Sequence, residues 1–519
     1  MIARRELLAG SAVLLSLSAA PAFAAATSEV ATRAGRVRGS VEGGVHVFRG
    51  LRYGEDTRPV RFRAPVPAKP WDGTAEANAF APSCPQRGAV NLPHSEDCLF
   101  LNVWTPGPDA RAKRPVMLYI HGGAYSSGSA VDPLQDGARL AAHGDVVVVT
   151  VNHRLNAFGY LYLARLDPRF ADSGNVGQLD LILALQWVRD NIAAFGGDPA
   201  RIMVFGQSGG GAKIATMMAM PAADGLFHAA ATMSGQQVTA SGPLNAGKRT
   251  AAYLARLGVT RADALLELPV GRLVEALDAE DPILGGGVYF GPVLDMTWLT
   301  RHPFYPDADP RSLAIPMLLG NTHDETRGFF GPEHPKIIGL DWSNLAERMA
   351  PELRIDVLPE WVVARFRERY PAMSPTEVFY AATTAGRSWR GQVIEADERA
   401  RAGAAATWVY QLDFPSPLQP ERGAPHTHDI PLVFGTLDAP GSLTGTGEAA
   451  QRVSRQMMDA FVALARTGDP NHAGLGAWPP YRLPERATMI FDARSRPEND
   501  PRRWERELFA RVPYIQPGS

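Results

Sequence analysis

The sequence predicts an α/β fold in which helices cover both faces of a large, mostly parallel sheet. Two apolar runs, 116–120 and 146–149, show no alternation of polar and apolar residues, which is typical of strands covered on both faces. Helix-like segments separate such runs, and one of them places Leu181, Leu185 and Val188 on a single helical face. Alternation of buried strands with helices indicates a mostly parallel sheet between two helical layers.

The composition is that of a globular protein with ample material for a core. Of the 519 residues, 45% are hydrophobic and 20% are charged, and the formal net charge is −2. No cluster of Lys and Arg marks a nucleic-acid surface, and no segment is long enough to span a membrane. Helical, charged stretches near 245–280 and 328–399 indicate insertions over the sheet. We therefore expect one domain over 25–519, and a monomer.

The first 24 residues have the features of a cleaved export signal. An arginine pair at positions 4 and 5 precedes a modestly apolar segment at 12–20, and Ala-Phe-Ala at 22–24 offers a cleavage site. The order Arg-Arg-Glu-Leu-Leu resembles a twin-arginine signal, with an ordinary Sec signal as the alternative. The sequence therefore predicts a periplasmic or secreted protein.

The sequence has only two cysteines, Cys84 and Cys98. In an exported chain, two nearby cysteines favour a disulfide, and two free buried thiols are the alternative. A metal site is not predicted, because no second cysteine pair accompanies them and the histidines lack ligand spacing.

A G-x-S-x-G motif at Gly206, Ser208 and Gly210 is the most informative feature for function. The strand-like run 202–205 leads into it, and the helix-compatible run 212–218 follows it. In α/β-hydrolases, the nucleophilic serine occupies such a strand–turn–helix, and the flanking glycines prevent collisions and expose its hydroxyl. Ser208 is therefore the predicted nucleophile, with an ordinary glycine-rich turn as the alternative.

The nucleophile needs a histidine base and an acid that fixes the imidazole tautomer. In α/β-hydrolases, the order along the chain is serine, acid, histidine, each after a strand. Asp324 and Glu325 directly follow one strand-like run, and His426 and His428 follow the next. The residues alone leave both choices open.

Backbone N–H groups that stabilise a developing oxyanion are expected in the loop after the run 116–120. There the sequence His-Gly-Gly-Ala at 121–124 lets the backbone approach a substrate closely, and Gly209 offers a further N–H directly after Ser208. A plain glycine turn explains the loop equally well when it is considered alone. Together with the serine motif, the catalytic interpretation is favoured.

Ordered motifs over nearly all of the mature chain resemble those of the type-B carboxylesterases. This group includes bacterial para-nitrobenzyl esterases, animal carboxylesterases and cholinesterases. Besides the serine motif, the matching segments are 48–53, 95–103, 121–125, 174–180, 191–199 and 478–481. The resemblance implies an α/β-hydrolase fold and a serine esterase that acts on small-molecule esters without a cofactor.

The resemblance also implies the roles of individual residues. In the family pattern G-x-x-x-D-E the glutamate is the acid, which here is Glu325. The family histidine stands three residues before the acidic residue that opens a D/E-I/L-P-x-V-F-G run. In this chain that acidic residue is Asp429, so the resemblance selects His426 over His428. Oxyanion donors are implied at Gly123, Ala124 and Gly209, and a disulfide between Cys84 and Cys98.

The chain departs from the family pattern around the nucleophile. The family usually has Glu before the serine, Ala after it and Gly as the third oxyanion-loop residue, where this chain has Gln207, Gly209 and Ala124. None of these changes removes a predicted catalytic group. The alternatives are an amidase or carbamate hydrolase with the same residues, and a non-catalytic cholinesterase-like binding module, against which the intact triad argues.

Overall fold

A computed structural model describes residues 26–88, 93–516 and 518. The predicted export signal, residues 1–24, lies outside the described residues, so export stays a prediction. Within the described residues, no helix combines the length and the apolar character needed to cross a bilayer.

The fold is built on one sheet, to which the described residues contribute thirteen strands. In chain order they are β1 (Thr27–Ala31), β2 (Arg36–Glu42), β3 (Val45–Arg52), β4 (Thr74–Glu76), β5 (Phe100–Thr105), β6 (Arg114–Ile120), β7 (Val147–Val151), β8 (Gly197–Gln207), β9 (Ala229–Met233), β10 (Met317–Thr322), β11 (Thr407–Leu412), β12 (Ala487–Phe491) and β13 (Arg496–Asn499).

The central part of this sheet is parallel and its edges are antiparallel. The spatial order is β1-β2-β3-β5-β7-β6-β8-β9-β10-β11-β12-β13, with β4 paired to β2. The strands from β7 to β12 in this order run parallel, whereas β1, β2, β3 and β5 pair antiparallel up to β7, and β13 pairs antiparallel with β12. The predicted mostly parallel sheet is confirmed.

Helices lie on both faces of the sheet and in the segments between strands. They are α1 (Ala138–Gly144), α2 (Asn156–Tyr160), α3 (Val176–Asn191), α4 (Gly209–Met217), α5 (Pro243–Leu257), α6 (Val270–Glu275), α7 (Leu345–Met349), α8 (Pro359–Arg369), α9 (Pro375–Thr383), α10 (Arg390–Arg401), α11 (Asp429–Phe434), α12 (Glu448–Thr467) and α13 (Arg503–Phe509). A π-helical turn, Thr384–Trp389, joins α9 to α10.

Two core layers explain why the central strands are apolar at every position. Val116 and Leu118 of β6 pack in one hydrophobic cluster together with residues of α3. Met117 and Tyr119, which alternate with them, pack on the other face in a second cluster with residues of α12. Because successive strand side chains point to opposite faces, a strand covered on both sides is apolar throughout.

The structure corrects the predicted disulfide, because Cys84 and Cys98 are two buried free thiols. The sulfur of Cys84 accepts a hydrogen bond from the backbone N–H of Leu155 at 3.2 Å. A hydrogen bond with Cys84, together with burial, raises the pKa of the Cys98 thiol well above its ordinary value. The two cysteines are thus neighbours, as expected, but they meet as a hydrogen-bonded thiol pair, the alternative that the sequence left open.

Candidate active site

The serine motif forms a sharp turn between β8 and α4. Strand β8 ends at Gln207, α4 begins at Gly209, and Ser208 between them has φ 54° and ψ −123°. A non-glycine residue with positive φ is uncommon, and such strain is often found at functional sites. A Cβ atom on Gly210 would lie 1.9 Å from the carbonyl oxygen of Ile120, so only glycine fits there. The turn presents the half-buried Ser208 at the carboxyl edge of the sheet.

His426 and Glu325 come from two loops at the same edge. Glu325 follows β10, and His426 lies between β11 and α11. The Nδ1–H of His426 donates a short hydrogen bond to Oε2 of Glu325. The other carboxylate oxygen, Oε1, accepts from the side-chain amide of Asn321 and the backbone N–H of Thr322, both at 2.9 Å. These contacts fix the carboxylate, which in turn fixes the orientation and tautomer of the imidazole.

The carboxyl group of Glu325 is ionised despite complete burial. Burial raises its pKa, but the facing imidazole of His426 and the hydrogen bonds from His426 and Asn321 outweigh burial, so the pKa lies below its ordinary value. A buried carboxylate that faces an imidazole is suited to stabilise an imidazolium during proton transfer.

The other ring nitrogen of His426 faces Gln207. The side-chain amide nitrogen of Gln207 lies 3.1 Å from Nε2 of His426 and donates to its lone pair. The ring of Phe329 lies against the imidazole, with ring centroids 4.6 Å apart. Both contacts help to fix the orientation of the imidazole, whose unprotonated Nε2 is an acceptor. His426 lines the same cavity as Ser208.

The predicted oxyanion loop and the first turn of α4 form one packed unit. Gly123 and Ala124 have φ values of 86° and 54°, and within the described residues their N–H groups donate to no protein acceptor. The N–H of Gly209 is the first of α4 and has no partner inside the helix. A Cβ atom on Gly209 would lie 2.0 Å from the carbonyl oxygen of Ala124. Gly209 and Ala124, both departures from the family pattern, are therefore in direct contact.

Comparison with known proteins identifies the group to which this site belongs. The sequence model of the Carboxylesterase family matches residues 26–507. The chain belongs to the carboxylesterase family. It is 34% identical over 500 residues to the para-nitrobenzyl esterase of Bacillus subtilis (strain 168), covering 92% of this chain and 97% of that protein. It is 33% identical over 493 residues to the phenmedipham hydrolase of Pseudarthrobacter oxydans, covering 88% and 94%.

A solved structure agrees with this assignment. The carboxylesterase of Geobacillus stearothermophilus at pH 6.2 superposes with a TM-score of 0.82 and 37% identity, covering 93% of this chain and 99% of that chain. The protein is thus a carboxylic ester hydrolase with the α/β-hydrolase fold, as the sequence predicted.

The two alternative residues of this carboxylesterase have other partners. Oδ2 of Asp324 accepts from the backbone N–H of Ala424 at 3.0 Å, and Oδ1 accepts from Nε of Arg327 at 3.2 Å. His428 is buried with its ring stacked on Phe414, and burial lowers its pKa to about 4. Neither residue lines the cavity that contains Ser208.

Sequence reasoning missed a buried lysine beneath the predicted oxyanion loop of this carboxylesterase. Nζ of Lys213, on α4, donates to the carbonyl oxygen of Ala124 at 2.7 Å and lies 5.1 Å from the ring centroid of Tyr125. Burial lowers its pKa to about 7. Its charge also acts on the stacked rings of His121 and His153, whose pKa values are lowered chiefly by burial. A lysine within the otherwise apolar stretch of α4 was the available signal.

A cavity of about 570 Å³ opens over Ser208 and His426 of this carboxylesterase. A smaller space of about 110 Å³, lined in part by Gly209 and Ser234, adjoins the same two residues. Two spaces beside Ser208 suit the acyl and alcohol portions of an ester. Among the described residues, no three His, Cys, Asp or Glu side chains converge as a metal site requires.

Proposed function

We propose that this carboxylesterase hydrolyses esters through a triad of Ser208, His426 and Glu325 and an acyl-enzyme intermediate. The observation that carries the proposal is the position of His426, whose Nδ1 is bound by Glu325 while its ring lines the cavity beside Ser208. Such an arrangement supplies a nucleophile, a base and a group that orients the base.

In the first step, Oγ of Ser208 attacks the carbonyl carbon of the ester while Nε2 of His426 takes the hydroxyl proton. The amide of Gln207 gives up the Nε2 lone pair when the serine hydroxyl approaches, since catalytic hydrogen bonds often form only in the substrate complex. The carbonyl oxygen becomes an oxyanion and accepts hydrogen bonds from the N–H groups of Gly123, Ala124 and Gly209.

In the second step, the tetrahedral intermediate breaks its bond to the alcohol oxygen, and His426 protonates the departing alcohol. A water molecule then attacks the acyl-serine while Nε2 of His426 takes a proton from it. Collapse of the second tetrahedral intermediate releases the carboxylic acid and returns the proton to Ser208. Glu325 stays ionised throughout and stabilises each transient imidazolium.

The chain offers two matched pairs of variants that test this proposal. With a short-chain para-nitrophenyl ester, we expect kcat to fall by about 10⁴-fold in His426→Gln and in Glu325→Gln. The neighbouring variants His428→Gln and Asp324→Asn keep all three residues of the proposed triad and are expected to lower kcat by less than about tenfold. Thermal unfolding of each variant shows whether the fold is retained. A folded His428→Gln that is inactive beside an active His426→Gln would refute the proposed base.

A further inference from the structure

Two arginines line the cavity that contains the proposed nucleophile. Arg354 and Arg387 both contribute to the wall of the cavity of about 570 Å³, together with Ser208 and His426. Arg387 also lines the smaller adjoining space. Neither arginine has a role in the proposed bond-breaking steps, so their presence needs another explanation.

Arg387 is brought to the cavity by an irregular helical turn. It lies in the π-helical turn Thr384–Trp389, a rare form of helix that occurs mostly as single turns inside α-helices and is frequent at functional sites. Its guanidinium carbon lies 4.7 Å from the ring centroid of Phe329, and that ring in turn contacts the imidazole of His426. One aromatic ring therefore separates the charge of Arg387 from the proposed base.

Arg354 is held at the cavity in an unfavourable state. Its φ is 56°, and its carbonyl oxygen accepts a hydrogen bond from the backbone N–H of Ile515 at 3.1 Å. Its buried Nε has no hydrogen-bond partner, and no carboxylate within the described residues forms an ion pair with its guanidinium. A left-handed backbone and an unpaired, partly buried cation both oppose folding.

The charges around the two arginines leave this side of the cavity positive. The carboxylate of Glu352 forms ion pairs with Arg387, at 2.5 Å, and with Lys336, so one negative charge faces two positive charges. Asp281, an acid that lines the cavity, forms an ion pair with Arg249 at 2.8 Å and accepts hydrogen bonds from three backbone N–H groups. The charge of Arg354 is thus not neutralised by either acid.

We propose that Arg354 and Arg387 bind a carboxylate carried by the substrate, so that this enzyme prefers esters with an anionic group away from the bond that is cleaved. The guanidinium group suits this role because its fork of N–H donors matches the two oxygens of a carboxylate. A partly closed cavity strengthens the attraction relative to bulk water. The inference rests on the proposed function, since it names the substrate class of the same site.

Two matched pairs of esters test the subsite. In the first pair the acyl chain bears the charge, as in mono-para-nitrophenyl adipate and its neutral methyl-capped diester. In the second pair the alcohol bears it, as in para-acetoxybenzoate and its neutral methyl ester. For each pair we compare kcat/KM for the anionic ester with kcat/KM for the neutral ester. A variant that impairs catalysis of both esters equally leaves this ratio unchanged.

We expect this ratio to fall in at least one pair by about tenfold to a hundredfold in Arg354→Gln, because a hydrogen-bonded charge pair is lost. Arg354→Lys keeps a charge and is expected to keep part of the ratio. Arg111→Gln is the matched control, because Arg111 is exposed and precedes β6, at the sheet edge opposite the site. The wild-type ratio should also fall as salt is added, since salt screens charge attraction.

A ratio that changes by less than about twofold in Arg354→Gln for both pairs would overturn the subsite. Turnover of the neutral esters under those conditions would leave the proposed function standing. Failure of the folded wild type to cleave any of the four esters would overturn the proposed function and the subsite together.

Discussion

At the scale of single residues, Gly209 and Ala124 show how two sequence changes depend on one another. The family usually has alanine after the nucleophile and glycine at the third oxyanion-loop position, and this chain has the reverse. The backbone of Ala124 lies so close to Gly209 that a Cβ atom there would be 2.0 Å from its carbonyl oxygen. The path of the loop around Ala124 therefore requires glycine at position 209.

We predict that Gly209→Ala lowers kcat/KM by about 100-fold or more, because the new methyl group displaces the oxyanion loop and misplaces its N–H donors. Steady-state kinetics with a neutral ester measures this. Adding Ala124→Gly should restore part of the activity, because a glycine there lets the loop take another path.

Gly247→Ala provides the control for this prediction. Gly247 lies in α5, and the nearest atom to a Cβ built there is 3.8 Å away, so this change should leave activity intact. Full activity of Gly209→Ala would show that the contact with Ala124 does not control the loop.

At the scale of elements, α4 begins beside the proposed nucleophile and carries the lysine that supports the proposed oxyanion loop. Its first residue, Gly209, follows Ser208, and one turn later Lys213 donates to the carbonyl oxygen of Ala124 at 2.7 Å. The groups that face Lys213 are the ring of Tyr125 and the neutral imidazoles of His121 and His153. No carboxylate contributes to its shift, so burial alone lowers the pKa of Lys213 to about 7.

This lysine predicts a pH-dependent difference in stability. An unfolded lysine has a pKa of about 10.4, so between about pH 7 and pH 10 the unfolded chain binds a proton that the folded chain lacks. Burial of Lys213 thus destabilises the fold most below about pH 7, and the wild type gains stability as the pH rises through this window.

Lys213→Met removes the buried charge and its titration. We compare the free energy of unfolding of this variant with that of the wild type at each pH. The variant minus wild-type difference is expected to be most positive near about pH 6 and to fall by roughly 4 kcal/mol toward about pH 10. Denaturant titrations at both pH values measure this difference. The exposed Lys248→Met is the control and should show no such trend. A difference independent of pH for Lys213→Met would show that Lys213 does not titrate with a lowered pKa in the folded protein.

At the scale of the whole molecule, the sheet assembles the site from distant parts of the chain. Strands β6, β8, β10 and β11 run parallel in its centre, and the proposed oxyanion loop, Ser208, Glu325 and His426 follow their carboxyl ends in that order. Glu325 and His426 meet although they are 101 residues apart in the sequence. Sites at the carboxyl ends of parallel strands are a general property of such sheets.

This topology explains which features the sequence could predict. The uninterrupted apolar runs predicted strands covered on both faces, and the serine motif predicted a turn, because both patterns are local. The choice between Asp324 and Glu325 could not be made locally, since adjacent side chains diverge, one toward Ala424 and the other toward His426. Family resemblance was needed to choose.

Features that arise from contacts between distant segments were missed. The lack of a carboxylate partner for Arg354 within the described part of the chain, and the contact of Gln207 with His426, depend on loops whose paths no short pattern specifies. The predicted disulfide failed for a related reason, since spacing can bring two cysteines together but does not determine whether their sulfurs bond.

Capture of the acyl-enzyme would test directly whether Ser208 is the nucleophile of this esterase. The enzyme is mixed rapidly with a para-nitrophenyl ester, quenched in acid and analysed by peptide mass spectrometry, with Ser208→Ala treated in parallel. We expect one acyl group per molecule on the peptide that contains Ser208, a matching burst of nitrophenolate, and neither signal in the variant. Hydrolysis that persists in Ser208→Ala, or an acyl group carried by another residue during turnover, would contradict this role of Ser208.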